Sequence, residues 1–212
     1  PFTNLCVWQM NIDKGLKHLK QADKKMGQLI AEFEKPEFNK NSNYFEALVR
    51  AIVYQQLSGK AAAKIYNRFK DLFSKKKYPS PLMVMEKSHE ELRSTGLSNQ
   101  KASYIHNIAN AFFTGMVPND IDTLSDNDVI ECLTTIKGVG PWTAEMFLMF
   151  ALNRPDIFPV TDLGIRKGLQ LFCEMNDLPD PDFMIKTAEP WRPYRTLASW
   201  YLWCLVEGPF EW

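Results

Sequence analysis

Two stretches of this 212-residue chain bring together residue types that can do chemistry. The first is Leu133-Thr134-Thr135-Ile136-Lys137-Gly138-Val139-Gly140-Pro141-Trp142-Thr143-Ala144-Glu145-Met146. Two glycines flanking one apolar residue let the backbone turn sharply and approach another surface with no Cβ in the way, and Pro141 suits the first turn of a following helix. The N–H groups at the start of such a helix form an anion site that can hold a phosphate through backbone alone. A lone Gly-x-Gly is also a common αα-turn and by itself specifies nothing more. The second stretch is Asp156-Ile157-Phe158-Pro159-Val160-Thr161-Asp162-Leu163-Gly164-Ile165. Thr161-Asp162 precedes an apolar-periodic segment, so Asp162 reads locally as a helix N-cap favoured by the helix dipole.

The elements that must position these residues are helices. Phe45, Leu48, Val49, Ile52 and Val53 recur at helical spacing behind Asn43 and Glu46, a pair with the pattern of a capping box. Ala62, Ile65, Phe69, Leu72 and Phe73 repeat the pattern after Ser58-Gly59, and Ser80-Pro81 and Ser88 to Glu91 mark two further helix starts. A longer helix is expected from about Ser98, burying Ala102, Ile105, Ile108, Ala109 and Phe112 and ending by Gly115. Ser125 is expected to cap a helix running through Thr135, followed by the Gly138-Val139-Gly140 hairpin and a helix from Pro141. The final helix, about Arg195 to Val206, has apolar residues on almost every face and should be buried. Only Asp156 to Val160 looks strand-like, too short and isolated to build a sheet, so the expected fold class is all-α.

Composition limits the remaining classes. A hydrophobic fraction of 45%, with 14 Phe and 6 Trp, is ample for a globular core. Lys+Arg of 25 balances Asp+Glu of 25, so contact with a polyanion must be local rather than carried by net charge. Cys6, Cys132, Cys173 and Cys204 are far apart and form no CxxC pair, which argues against a zinc site, an iron–sulfur cluster or a disulfide framework. No apolar run reaches the roughly 20 residues of a membrane span, and the reading is of a soluble protein in a reducing compartment. The Lys75-Lys76-Lys77 run reads as a solvated loop, with phosphate contact the minor alternative. His18, His89 and His106 read as surface or packing residues.

Taken together, the hairpin segment and the Asp156–Ile165 segment resemble the helix-hairpin-helix DNA glycosylases of the 3-methyladenine DNA glycosylase II family. Further matches fall in family order: Phe45-Glu46-Ala47-Leu48-Val49, Gln55-Gln56-Leu57-Ser58-Gly59-Lys60-Ala61-Ala62, Leu92-Arg93, Gly96-Leu97-Ser98, Lys101-Ala102 and Trp191-Arg192-Pro193-Tyr194-Arg195. They span roughly Tyr44 to Val206, while Pro1 to Asn43 match weakly and show no separate N-terminal β domain. The resemblance implies two helical lobes with the helix-hairpin-helix at the cleft between them. One lobe would run over 45–158 and the other would combine 1–44 with 159–212.

The resemblance also assigns roles. Asp162, 22 residues after Gly140, corresponds to the family's catalytic aspartate. Beside an anomeric carbon, its carboxylate would stabilise positive charge developing on the sugar, or orient or deprotonate the attacking water. Bifunctional members carry a Schiff-base lysine at the hairpin position occupied here by Trp142, and Lys137 lies on the other side of the glycines, so no AP-lyase activity is expected. Gln56 corresponds to the side chain that fills the vacated base stack, and Ser98 to a contact with the opposite strand, although each is also explained as a helix-end residue. Lys137, Gly138, Val139 and Gly140 would contact DNA. Trp142 and Trp203 would form aromatic walls for a cationic base, with Tyr54 a weaker wall residue; core packing is the alternative for either tryptophan. Met146 stands where some relatives have an aromatic residue and would line an apolar pocket.

In the family a monovalent cation, Na+ or K+, sits on hairpin carbonyls, here those of Thr134, Ile136 and Val139, as a structural bridge to phosphate, with no cofactor for catalysis. The implied activity is base-excision repair: base flipping and hydrolysis of the N-glycosidic bond of alkylated purines, 3-methyladenine and 7-methylguanine, in double-stranded DNA, leaving an abasic site. The implied partner is double-stranded DNA bearing a damaged purine or abasic site, bound by a monomer in a bacterial nucleoid or a eukaryotic nucleus, with no membrane. The alternative is a non-catalytic homologue that recognises abasic or distorted DNA.

Overall fold

The structure is a computed structural model that describes residues 10–38, 43–57, 59–73 and 78–208; Cys6, Ser58 and the Lys75–Lys77 run lie outside them. Among the described residues all regular structure is helical, in twelve α-helices and two 3-10 turns. None of these helices is long and apolar enough to cross a membrane. The chain divides into two units, one comprising residues 1–40 and 152–212 and the other residues 41–151.

The first unit begins with α1 (Ile12–Ala22) and α2 (Lys24–Glu32), elements with no counterpart in the sequence reading. A single residue separates them. Asp23 ends α1 in extended backbone and caps α2, accepting from the N–H groups of Lys25 at 2.9 Å and Met26 at 3.1 Å. Its second oxygen accepts from Trp191 Nε1 at 3.0 Å, which ties the bend to the far end of the chain.

The second unit contains α3 (Tyr44–Tyr54), α4 (Gly59–Asp71), α5 (Pro81–Met85), α6 (His89–Ser94), α7 (Asn99–Phe113), α8 (Asp126–Thr134) and α9 (Pro141–Phe150). Its core joins Leu48 and Ile52 of α3 to Ile105 and Ile108 of α7 and Leu148 of α9, all fully buried. Burial of each such side chain contributes about 1.5–3 kcal/mol relative to exposure. The N-caps follow the sequence: Ser80, Ser88, Ser98 and Ser125 each accept from an N–H three residues on. Ser88 and Glu91 form a reciprocal capping box. At α3, Asn43 caps Glu46 N at 3.0 Å, and the Glu46 carboxylate accepts from Tyr66 Oη of α4 at 2.8 Å.

The chain re-enters the first unit and adds α10 (Leu163–Phe172), α11 (Pro181–Ala188) and α12 (Arg195–Glu207). In α12 every residue from Thr196 to Cys204 is buried, as its all-round apolar pattern required. Helix α10 packs on α12 through two glycines one turn apart. A Cβ on Gly168 would lie 2.2 Å from the Leu202 carbonyl oxygen, and one on Gly164 would lie 2.7 Å from the Trp203 ring.

The strand-like reading of Asp156–Val160 is corrected: the segment is turn and extended chain. Its polar groups bond α12 in place of a neighbouring strand. Thr196 donates through Oγ1 to Arg154 O at 2.7 Å, donates through N to Pro155 O at 3.0 Å, and accepts from Ile157 N at 3.0 Å. The same bonds explain why the division falls after Ala151 rather than at 158.

Candidate active site

In the unit spanning 152–212, Asp162 is the N-cap of α10. Its Oδ1 accepts from Ile165 N at 2.7 Å and from Trp203 Nε1 at 2.8 Å. The cap reading of Asp162 therefore holds, on the same carboxylate to which the resemblance assigns chemistry. Two donors on one oxygen fix the carboxylate's orientation, and the residue stays half-exposed. Trp203, only 8% exposed, holds the carboxylate through its N–H, an interaction the sequence reading, which gave it a wall or a core role, did not foresee. Trp200 is equally buried and meets Tyr201 edge-on at 5.0 Å.

The approach to Asp162 is braced by the Trp191–Arg195 signature. Arg195 donates from Nε to Asp156 Oδ1 at 2.7 Å and from Nη2 to Asp156 Oδ2 at 3.0 Å, and Arg192 Nη1 reaches Oδ2 at 2.6 Å. Trp191 is fully buried, edge-on to Phe158 and Phe172. These residues are scaffold for the turn that carries the carboxylate.

In the unit spanning 41–151, the hairpin joins α8 to α9. Val139 N donates to Ile136 O at 2.9 Å, and Gly138 adopts φ +106, a conformation that favours glycine. A Cβ there would lie 2.1 Å from the Tyr104 ring. Gly140 differs from the expectation of a second turn glycine: its backbone is ordinary extended chain at φ −93 and a Cβ would meet open space. No side chain caps α9, which suits its N-terminal amides to an anion.

Helix α7 sets both the hairpin and the α3–α4 connection. Tyr104 packs on Gly138, Asn107 Nδ2 donates to Lys137 O at 2.9 Å, and Lys101 Nζ donates to Val53 O at 2.8 Å and Gln55 O at 2.7 Å. Burial lowers the Lys101 pKa from its ordinary value. Gln55 Nε2 donates to Thr143 Oγ1 at 2.7 Å, linking the end of α3 to the first turn of α9. Tyr104 and Asn107 escaped the sequence reading; Lys101 stood in a matched signature with no role.

The other predicted residues are placed as follows. Gln56, Ser98 and Lys137 are exposed, Trp142 and Tyr54 half-buried, and Val139 buried. Arg50 lies over the Tyr54 ring at 5.2 Å. Met146 is only 1% exposed. Of the candidate cation ligands, Thr134 closes α8, where terminal carbonyls lack helical partners. Ile136 O, already accepting from Val139 N, retains a second lone pair. Backbone oxygens of this kind fit a hard monovalent cation. Among the described residues no group of His, Cys, Asp and Glu is arranged to hold a metal. His18 bonds Pro190 O at 3.2 Å and His89 bonds Asn99 Oδ1 at 2.7 Å.

A capped carboxylate on one helix and a glycine hairpin opening another define a helix-hairpin-helix protein. Residues 49–193 match the family described as HhH-GPD superfamily base excision DNA repair protein. DNA-3-methyladenine glycosylase 1 of Schizosaccharomyces pombe is 35% identical over 198 residues, covering 91% of this chain and 87% of that protein. The alkylbase DNA glycosidase-like protein mag2 of the same organism is 33% identical, covering 88% and 90%. The solved structure of S. pombe 3-methyladenine DNA glycosylase (Mag1) in complex with abasic DNA superposes with a TM-score of 0.86 at 34% identity, covering 93% of this chain and all of that one. The chain belongs to the HhH-GPD superfamily of base excision DNA repair proteins and, within it, to the DNA-3-methyladenine glycosylase family.

Proposed function

We propose that this protein hydrolyses the N-glycosidic bond of alkylated purines, 3-methyladenine and 7-methylguanine, in double-stranded DNA, leaving an abasic site. The observation that carries the reading is Asp162, oriented by Ile165 N and Trp203 Nε1 on a single oxygen. Cleavage moves positive charge onto the sugar, and a fixed carboxylate beside the anomeric carbon stabilises that transition state more than the ground state. Alkylation at a ring nitrogen gives the purine a positive charge, so it leaves without a strong general acid. The water that adds to the sugar loses its proton to Asp162 or to solvent.

The hairpin's role in this reaction is to grip DNA. Lys137, Gly138, Val139 and Gly140 present backbone and one cation to the phosphates, and Ser98 contacts the opposite strand. Carbonyls of Thr134, Ile136 and Val139 would hold a Na+ or K+ ion, which supplies positive charge against a phosphate. Gln56 fills the stack vacated by the flipped base. In the unit spanning 41–151, Trp142 and Tyr54 offer aromatic surface to a cationic purine, while Met146, only 1% exposed, packs in the core; in the other unit Trp203 offers its ring beside Asp162. An indole at position 142 cannot form a Schiff base, so base release occurs without strand cleavage.

Single-turnover release of 3-methyladenine from methylated duplex tests this reading. The wild type should release base, and D162N should do so at least about 100-fold more slowly, the scale of an electrostatic catalyst. Tight binding of abasic DNA with no release by the wild type would make the protein a recognition module instead. Borohydride trapping of a protein–DNA adduct at the rate of excision would overturn the hydrolytic, lyase-free mechanism.

A further inference from the structure

The connection after α3 is a type II turn built with the wrong residue for that turn. Leu57 N donates to Tyr54 O at 3.4 Å, Gln55 has φ −50 and ψ 126, and Gln56 has φ +56. The third position of a type II turn is left-handed and normally taken by Gly or Asn, because a Cβ crowds the neighbouring carbonyl there. The same four residues could close as a type I turn, with Gln56 in ordinary right-handed backbone, by rotating the Gln55–Gln56 peptide through about 180°.

The two turns differ chiefly in where the Gln55 carbonyl points. In the structure that carbonyl accepts from Lys101 Nζ at 2.7 Å, and the same ammonium donates to Val53 O at 2.8 Å. Rotating the peptide would forfeit the first of these charge-assisted bonds. The Gln55 side chain, on the second residue of the turn, is held separately by Thr143 Oγ1 at 2.7 Å, a bond that does not itself fix the orientation of the Gln55–Gln56 peptide.

We propose that Lys101 is a positioning residue for base extrusion: by holding the Gln55 carbonyl it selects the type II turn and keeps Gln56 in the left-handed backbone from which its side chain enters the stack. The inference rests on the reading of Gln56 as the residue that fills the vacated site. An ammonium that bonds two backbone carbonyls is committed to the protein, so its contribution to DNA affinity is indirect.

The turn is tested first without DNA, in the full chain. Glycine accepts left-handed backbone freely, so Q56G should raise the thermal midpoint of the wild type and raise that of K101M by less than half as much. Equal gains in both backgrounds would show that Lys101 does not select the turn. If K101M does not unfold cooperatively, K101Q takes its place in the comparison.

Single-turnover excision from alkylated duplex then separates the lysine's role from the plug's. Q56A and K101M should each slow release about 10- to 100-fold, and the double variant should be no slower than the slower single, as expected for residues acting as one unit. An unaffected Q56A refutes the plug reading. A slow Q56A with a fully active K101M, or effects that multiply, overturns the role of Lys101. The salt dependence of abasic-DNA binding should keep its slope in K101M; a slope reduced by about one would make Lys101 a phosphate contact and refute the proposal.

Discussion

Asp162 and Trp203 show how one residue serves two demands. The carboxylate is an N-cap by geometry, and the same bond that satisfies Ile165 N fixes its orientation, as the proposed chemistry requires. Trp203 contributes the second donor. W203F keeps an aromatic ring, smaller than the indole, and removes the N–H. A hydrogen bond to a charged group is worth about 1.5–3 kcal/mol, so single-turnover excision by W203F should fall about 10- to 100-fold, with abasic-DNA affinity changed much less. An equal loss in both measurements would assign Trp203 to binding alone. The N-cap role of Asp162 was legible in the sequence because Thr161-Asp162 precedes an apolar-periodic segment. The Trp203 bond was not, because a donor 41 residues away meets its acceptor only through the packing of α10 on α12.

That packing belongs to the scale of elements. Gly164 and Gly168 lie one turn apart on the face of α10 that meets α12, and the two contacts are unequal. At Gly168 the obstacle is the Leu202 backbone carbonyl, which cannot swing aside, so G168A should destabilise the protein by about 1–3 kcal/mol, read as a lowered urea midpoint. At Gly164 the obstacles are the Trp203 ring at 2.7 Å and Asp162 Oδ1 at 3.0 Å, so, on the proposed role of Asp162, G164A should displace the Asp162–Trp203 pair and slow excision by more than G168A does. A G164A enzyme with wild-type kinetics would refute the coupling of helix spacing to the site. In the other unit G138A meets both φ +106 and the Tyr104 ring at 2.1 Å and should weaken DNA binding together with stability. Helix identity and caps were readable from periodicity and from Ser80, Ser88, Ser98 and Ser125. The work of α7 was not, since Lys101, Tyr104 and Asn107 look like an ordinary polar helix face until their backbone partners on other elements are known.

At the scale of the whole molecule, connectivity distinguishes the two units. Residues 41–151 are one continuous stretch, whereas the other unit is assembled from both ends of the chain. The sequence matched known signatures over the continuous stretch and the C-terminal helices but was silent on residues before Asn43, where amphipathic helices carry no chemistry-bearing motif. The structure gives that segment its reason. Asp23 accepts from Trp191 Nε1, a Cβ on Gly15 would lie 2.4 Å from Leu197, and Lys25 pairs with Glu174 at 2.6 Å. Leu19 and Met26 are fully buried. Deleting residues 1–40 should therefore leave Trp191 and Leu197 without their cover and unfold the unit that holds Asp162, while residues 41–151 keep their own core. The truncated chain should retain helical circular dichroism and cooperative unfolding from the continuous unit but release no base. Full excision by the truncated protein would show that α1 and α2 are dispensable, and complete loss of cooperative structure would show that the continuous stretch cannot fold alone. Alkaline stability gives an independent check on the assembled unit. Burial pushes the Cys204 thiol from its ordinary 9.0 up to about 12. The unfolded chain ionises there first, so stability present below pH 9 should be lost as pH rises toward 12. C204A should flatten that decline between pH 9 and 11 in urea titrations of the full chain, and in the truncated chain, where α12 no longer has its partners, the same substitution should change nothing.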